Sequence, residues 1–156
     1  MKFAVKIMTV LFFMVGMFFS LTAWALDSSS PVGYWKTIDD VTGKQKSIIQ
    51  IVQTSDGSLR GQVIKIWPKP GKDENEVCDA CKGNNHNKRI VGMTILEGMR
   101  VNGDKWTGGQ ILDPNNGKTY RCSLRLVNNG ASMQVHGYIG LPILGRTQTW
   151  IRVDRW

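Results

Sequence analysis

Five compact turn clusters punctuate this chain at short intervals, and they constrain it to a succession of short strands. They fall at Asp39-Asp40-Val41-Thr42-Gly43, Ser55-Asp56-Gly57, Asn102-Gly103-Asp104, Asp113-Pro114-Asn115-Asn116-Gly117 and Asn128-Asn129-Gly130. Each supplies Gly or Asn where a tight hairpin needs positive φ. Between and around them lie β-rich runs at 33–38, 45–53, 58–67, 90–96, 105–112, 118–127, 131–139 and 146–153. The spacing predicts an all-β domain, an antiparallel meander of about eight strands that forms a sandwich or an up-and-down barrel. The segment 68–88 breaks the pattern. It is rich in charge, Asn and Gly and too long for a plain hairpin, as functional or mobile loops on compact β domains are.

The first 25 residues have a different character. Lys2 and Lys6 precede an apolar run from Ile7 to Leu21, and Ala23-Trp24-Ala25 places small residues at the two positions a signal peptidase inspects. This layout predicts a cleaved secretory signal over residues 1–25. The apolar run is shorter than the ~20 residues of a spanning helix, so the processed protein is not expected to be an integral membrane protein. No cysteine follows Ala25, which argues against a lipid-anchored export signal. The expected location is the periplasm or outside the cell. All five Phe residues lie in this segment, and removing Lys2 and Lys6 lowers the formal charge from +8 to +6. What remains, 26–156, is long enough for one domain with a single core.

Alternation assigns faces within the strands. On 118–127, Tyr120, Cys122, Leu124 and Leu126 share one face, and Thr119, Arg121, Ser123 and Arg125 share the other. The last run is less clear: Arg146, Gln148, Trp150 and Arg152 oppose Thr147, Thr149, Ile151 and Val153. A mixed face of this kind suits a barrel interior that lines a cavity. In a closed barrel the first and last strands pair, so Gly33-Tyr34-Trp35 and Trp150-Ile151-Arg152 should be neighbours. An indole with a guanidinium stacked across it would then seal one end. A G-x-W on the first strand with an Arg on the last resembles the calycin (lipocalin-like) superfamily.

A longer resemblance runs through the second half. Trp106-Thr107-Gly108-Gly109, Ile111-Leu112-Asp113-Pro114, Asn116-Gly117-Lys118-Thr119-Tyr120, Gly137-Tyr138-Ile139-Gly140 and Leu144-Gly145-Arg146-Thr147-Gln148-Thr149-Trp150 resemble the DUF2147 family of exported bacterial proteins. With Pro31-Val32-Gly33-Tyr34-Trp35 at the other end, the likeness covers the whole expected domain. It implies a calycin-like barrel and an exported location. It brings no substrate and no catalytic residues.

The three cysteines leave several arrangements open. In an oxidising compartment a Cys78–Cys81 disulfide is the local candidate, and a bridge from one of them to Cys122 would pin the loop to the barrel. Cys78, Cys81, His86 and Cys122 also have the ligand types of a Cys3His zinc site. A thiol–disulfide exchange centre is a further reading of C-x-x-C, although no helix N-terminus in a βαβ setting accompanies it.

Support for catalysis is sparse. His86 lies in the loop, and His136 has no Ser or Asp beside it to suggest a triad. Asp113 and the Asp39-Asp40 pair read as turn residues. No Gly-rich phosphate loop is present, and no cofactor is expected. The basic row Arg121 and Arg125 lacks the interleaved aromatics of a single-strand nucleic-acid binder, so nucleic acid is not an expected partner. A basic surface outside the cytoplasm fits an anionic lipid surface better.

Two functional readings follow. In the first, the barrel holds one small apolar or amphipathic ligand, with Trp35, Trp67, Tyr120 and Trp150 as walls and Arg146, Gln148 and Arg152 meeting a polar or acidic head group. The high Gly content favours space inside. In the second, a filled barrel is a scaffold that binds another envelope protein through the 68–88 loop. An open interior would favour the first.

Overall fold

The computed structural model describes residues 28–156; the segment expected to be a signal, 1–25, lies outside the described residues. Eight strands form one closed antiparallel barrel in chain order: β1 Gly33–Ile38, β2 Gln45–Gln53, β3 Leu59–Ile66, β4 Thr94–Asn102, β5 Lys105–Asp113, β6 Lys118–Val127, β7 Ser132–Tyr138 and β8 Arg146–Val153. Closure is made by β1 and β8, with Tyr34 opposite Val153, Trp35 opposite Arg152 and Lys36 opposite Ile151. No helix among the described residues is long and apolar enough to cross a membrane.

Strand boundaries follow the turn chemistry closely, with one clear difference. The fourth strand was expected over 90–96 and instead begins at Thr94 and continues to Asn102. Ile90 and Val91 look like strand residues because they are apolar, yet they belong to the long connection and pack onto the core from there. Gly92, at φ 93°, makes the turn that follows, held by Gly92 N–H to Val63 O at 2.7 Å and Val63 N–H to Met93 O at 2.9 Å. The β3–β4 connection therefore runs five residues beyond the expected 68–88.

The tight connections are held by their own side chains. In the β2–β3 turn the Asp56 carboxylate accepts hydrogen bonds from the Thr54 and Ser58 hydroxyls and from the Ser58 backbone N–H, and it pairs with Arg100. These bonds, the Thr54 hydroxyl foremost, hold its carboxyl well below the ordinary value of 3.8. The sign follows directly: this turn adds stability that is complete above pH 3.8 and is lost as the pH falls toward the folded value.

Alternate connections lie at opposite ends of an up-and-down barrel. At the end holding the β2–β3, β4–β5 and β6–β7 turns, the chain entering β1 crosses the opening. There Trp35 is fully buried and donates its indole N–H to Pro31 O at 2.7 Å. The Arg152 guanidinium lies 4.4 Å from the Trp35 ring centre and donates to three carbonyls: Gly130 O at 2.7 Å, Val32 O at 3.0 Å and Ser30 O at 2.6 Å. One planar cation thus ties the entering chain, the β6–β7 turn and β8 together. Ile49, Leu96, Met99, Leu124 and Met133, all fully buried, fill the adjacent half of the barrel.

Arg152→Met keeps the stem and removes the fork of donors. It is expected to lower stability by about 2–4 kcal/mol, combining charged hydrogen bonds with a desolvated cation–π contact. Arg152→Lys should restore little, because a single ammonium cannot serve three carbonyls and stack. Urea unfolding with an unchanged m-value is the measurement.

Candidate ligand-binding site

The other half of the barrel is hollow. A cavity of about 1090 Å³ opens among the β1–β2, β3–β4, β5–β6 and β7–β8 connections, slightly above the roughly 300–1,000 Å³ usual for small-molecule sites. Its depth is set by side-chain size along each inward face. On β7, Met133 fills the sealed half, whereas Val135 and Gly137 above it are small. On β1, Trp35 fills the sealed half, and Thr37 lines the cavity.

The two sides of the cavity differ chemically. One wall is aliphatic: Val63 and Ile66 of β3, Ile95 of β4 and Ile111 of β5. The facing wall is made by β8, β1 and β2, adjacent through barrel closure, and it carries Gln148, Trp150, Thr37 and Ser47. Thr37 and Ser47 are register partners, both buried, and their hydroxyls share a hydrogen bond of 2.7 Å. Thr37 lies one step beyond the Lys36–Ile151 pair, level with Trp150. The Trp150 indole N–H is buried and finds no acceptor among the described residues, a desolvation cost of roughly 1–3 kcal/mol.

Of the side chains expected to bind a ligand, Trp67, Tyr120, Arg146, Gln148 and Trp150 line this cavity. Trp35 and Arg152 do not: they form the plug at the opposite end, where indole and guanidinium are consumed by the closure itself. Trp67 stands at the mouth, edge-on to Trp156 at 5.5 Å, with Lys65 Nζ 4.1 Å from the Trp156 ring centre. The Tyr120 hydroxyl accepts from Asn116 Nδ2 at 3.0 Å.

Asp40 adds a feature that turn chemistry alone does not reveal. Its neighbour Asp39 behaves as a turn residue, accepting from Thr42 N–H at 2.8 Å and from the Thr42 hydroxyl at 2.9 Å, which lowers its pKa. Asp40 instead reaches across the mouth to β8, pairing with Arg146 and accepting from Gln148 Nε2 at 2.8 Å. The contact spans 106 residues of sequence, so no local pattern signals it. Thr37 and Ser47 were not singled out from the sequence, although alternation puts them on the faces of Trp35 and Ile49.

The interior glycines serve two purposes. A Cβ on Gly61 would lie 2.9 Å from Leu96 Cβ, and one on Gly109 would lie 2.2 Å from Glu97 O. These two permit close approach of neighbours and leave no space. At Gly137, facing the cavity, a Cβ would instead meet ordinary van der Waals neighbours, the nearest being Tyr120 Cβ at 3.5 Å.

The long connection folds over the mouth as an ordered flap. Cys78 and Cys81 form a disulfide, and both are buried. Val77 pairs with Arg89, Cys78 N–H donates to Lys88 O at 2.9 Å, and Lys69 Nζ donates to Asn115 Oδ1 at 3.3 Å across the β5–β6 turn. Gly117 is required there, at φ 66°, because a Cβ would fall 1.9 Å from Ala80 O. The residues of the alternative zinc reading, Cys78, Cys81, His86 and Cys122, are not brought together: two sulfurs are bonded to each other, and the His86 ring nitrogens face Cys81 O and Asn87. Among the described residues no three His, Cys, Asp or Glu side chains form a metal-binding group. Burial of both bridged sulfurs also leaves an exchange partner no approach.

On the opposite rim, His136 donates its Nε2–H to Pro142 O at 2.8 Å, and Nδ1 faces the Thr147 hydroxyl at 2.8 Å. It anchors the β7–β8 connection, whose Leu141, Ile143 and Leu144 are exposed beside the opening.

A closed eight-stranded antiparallel barrel, plugged at one end and hollow at the other, is a lipocalin-like fold. It is similar to the solved structure of protein HP1028 from the human pathogen Helicobacter pylori, which belongs to the lipocalin family. The TM-score is 0.67 at 20% sequence identity, over 80% of this chain and 84% of that one. The profile of a family described as uncharacterized protein conserved in bacteria (DUF2147) matches residues 33–152, and the chain belongs to that family. No curated protein matches the sequence.

Cys122 is the free thiol, and burial pushes it from 9.0 up to about 12. Without reductant, the folded protein at pH 8 is expected to resist iodoacetamide. Unfolding in urea should release one labelled thiol per chain, and peptide mapping should place it at Cys122. Label on Cys78 or Cys81 would contradict the bridge.

Proposed function

We propose that this protein is an exported, non-enzymatic binding protein that holds one small apolar or amphipathic molecule in the open half of its barrel. The observation that carries this reading is the cavity, with an aliphatic wall, a polar wall and a mouth, backed by a solid plug. A ligand entering between the connections would bury its apolar surface against Val63, Ile66, Ile95 and Ile111, at about 25 cal/mol for each Å² removed from water. The lipocalin-like architecture supports the same reading, and the signal-like segment at 1–25 supports a periplasmic or secreted location. The scaffold alternative presumed a filled barrel, and the open half supports the binding reading ahead of it.

Native mass spectrometry of protein purified from the exported compartment tests this. A bound mass of a few hundred daltons, released on denaturation, is expected. Gly137→Leu projects a side chain into the cavity without a backbone clash, so it should keep the wild-type melting temperature within about 3 °C and lose the bound mass. Retention of the same mass by the variant would move the ligand elsewhere.

A further inference from the structure

We infer that the cavity selects an uncharged, largely apolar molecule bearing a hydroxyl or carbonyl oxygen, and discriminates against a carboxylate. The inference rests on the binding role proposed above and concerns its chemistry. The distribution of charge within the lining is the first observation. The carboxylates, ammonium groups and guanidinium that line the cavity fall in the mouth connections or at the strand ends beside them. The deeper lining, from Gln148 down to Trp150 and across to Thr37, Ser47, Val63 and Val135, has no formal charge.

Lys44, Lys46 and Lys69 lie out on the mouth, and the cation that stands on the polar wall itself is Arg146. It is already neutralised by Asp40, whose carboxylate also takes the Gln148 amide hydrogen at 2.8 Å. An incoming carboxylate would have to displace Asp40 and leave a second carboxylate unpaired beside itself. Deeper in, it would have to shed its water with no counter-ion in reach, a cost that burial against hydroxyls does not offset.

A neutral oxygen meets the opposite situation. Thr37 and Ser47 carry two hydroxyl protons: one serves their mutual bond at 2.7 Å, and the other has only the long contact from the Thr37 hydroxyl to Ser47 O at 3.4 Å, which a better-placed ligand oxygen can replace. A hydroxyl both donates and accepts, so the pair can complement either a carbonyl or an alcohol on the ligand. The molecule that fits has one oxygen-bearing edge toward β8, β1 and β2 and an aliphatic face toward β3, β4 and β5.

The test compares 1-dodecanol with dodecanoate at pH 8, using full-length mature protein stripped of bound material and read by quenching of the cavity tryptophans. Dodecanol is expected to bind at least tenfold more tightly than dodecanoate. Thr37→Val with Ser47→Ala should weaken dodecanol about fivefold, the size of one lost hydrogen bond. Asp40→Asn, at the exposed rim where folding is not at stake, should free Arg146 and strengthen dodecanoate several-fold. Equal or tighter binding of dodecanoate by the wild type would overturn the selectivity while leaving the binding role intact. Failure of both probes to bind would overturn the binding role and the inference with it.

Discussion

The stacked pair of Trp35 and Arg152 is the constraint on which the rest of this barrel depends. Closure brings the first and last strands together, and the residues at that seam are the ones that must also close the floor. Arg152 achieves both because its guanidinium is planar and forked: one face lies on the indole while the donors reach Ser30, Val32 and Gly130. The indole N–H points the other way, to Pro31 O. Every polar group of the pair therefore has a partner while its apolar surface is buried, and that condition lets a cation sit within a barrel end.

A sealed floor lets the interior divide into two regimes. Below, Leu96, Met99, Leu124 and Met133 belong to one fully buried core cluster. Above, the inward residues shrink to Thr37, Ser47, Val63, Val135 and Gly137, and the walls cannot collapse to meet across the space. A hydrogen-bonded closed sheet resists collapse because each strand is fixed by two neighbours, so the space persists where a helical core would shrink around it. Dispersion contacts are lost along those walls, a cost that the filled half and the continuous ladder must cover. A barrel of this size is consequently neither full nor empty.

Much of this was legible in the sequence, and the parts that were not share a cause. Turn clusters such as Asn128-Asn129-Gly130 marked hairpins because Asn and Gly tolerate positive φ, and both asparagines do adopt it. The mixed face of β8 marked a cavity wall, and Trp150, Gln148 and Arg146 stand on it. Closure also made the seal of indole and guanidinium legible, yet the same two residues were counted among the ligand contacts, Trp35 as a wall and Arg152 at the head group, and the plug consumes both. Strand residues at 90–91 were misread because an apolar pair packs onto a core from a loop as readily as from a strand. Asp40 was invisible as a partner of Arg146, since only barrel closure brings the β1–β2 turn beside β8.

The cysteines show how position decides chemistry that spacing leaves open. The C-x-x-C could have been a ligand pair, an exchange centre or a staple. Its location within the flap, with Cys78 Sγ 3.2 Å from Pro114 O and both sulfurs buried, makes it a local staple that shapes the β3–β4 connection where it packs on the β5–β6 turn. That connection supplies Trp67, Pro68 and Ile90 to the cavity lining. A loop of this length carries a large ordering entropy, and a local cross-link offsets part of it where the mouth needs a fixed outline. Cys122, one strand face away, is kept as a neutral thiol by the same apolar surroundings that make it part of the core. A cysteine reacts chiefly as its thiolate, and burial in the wall of the barrel disfavours that form at Cys122.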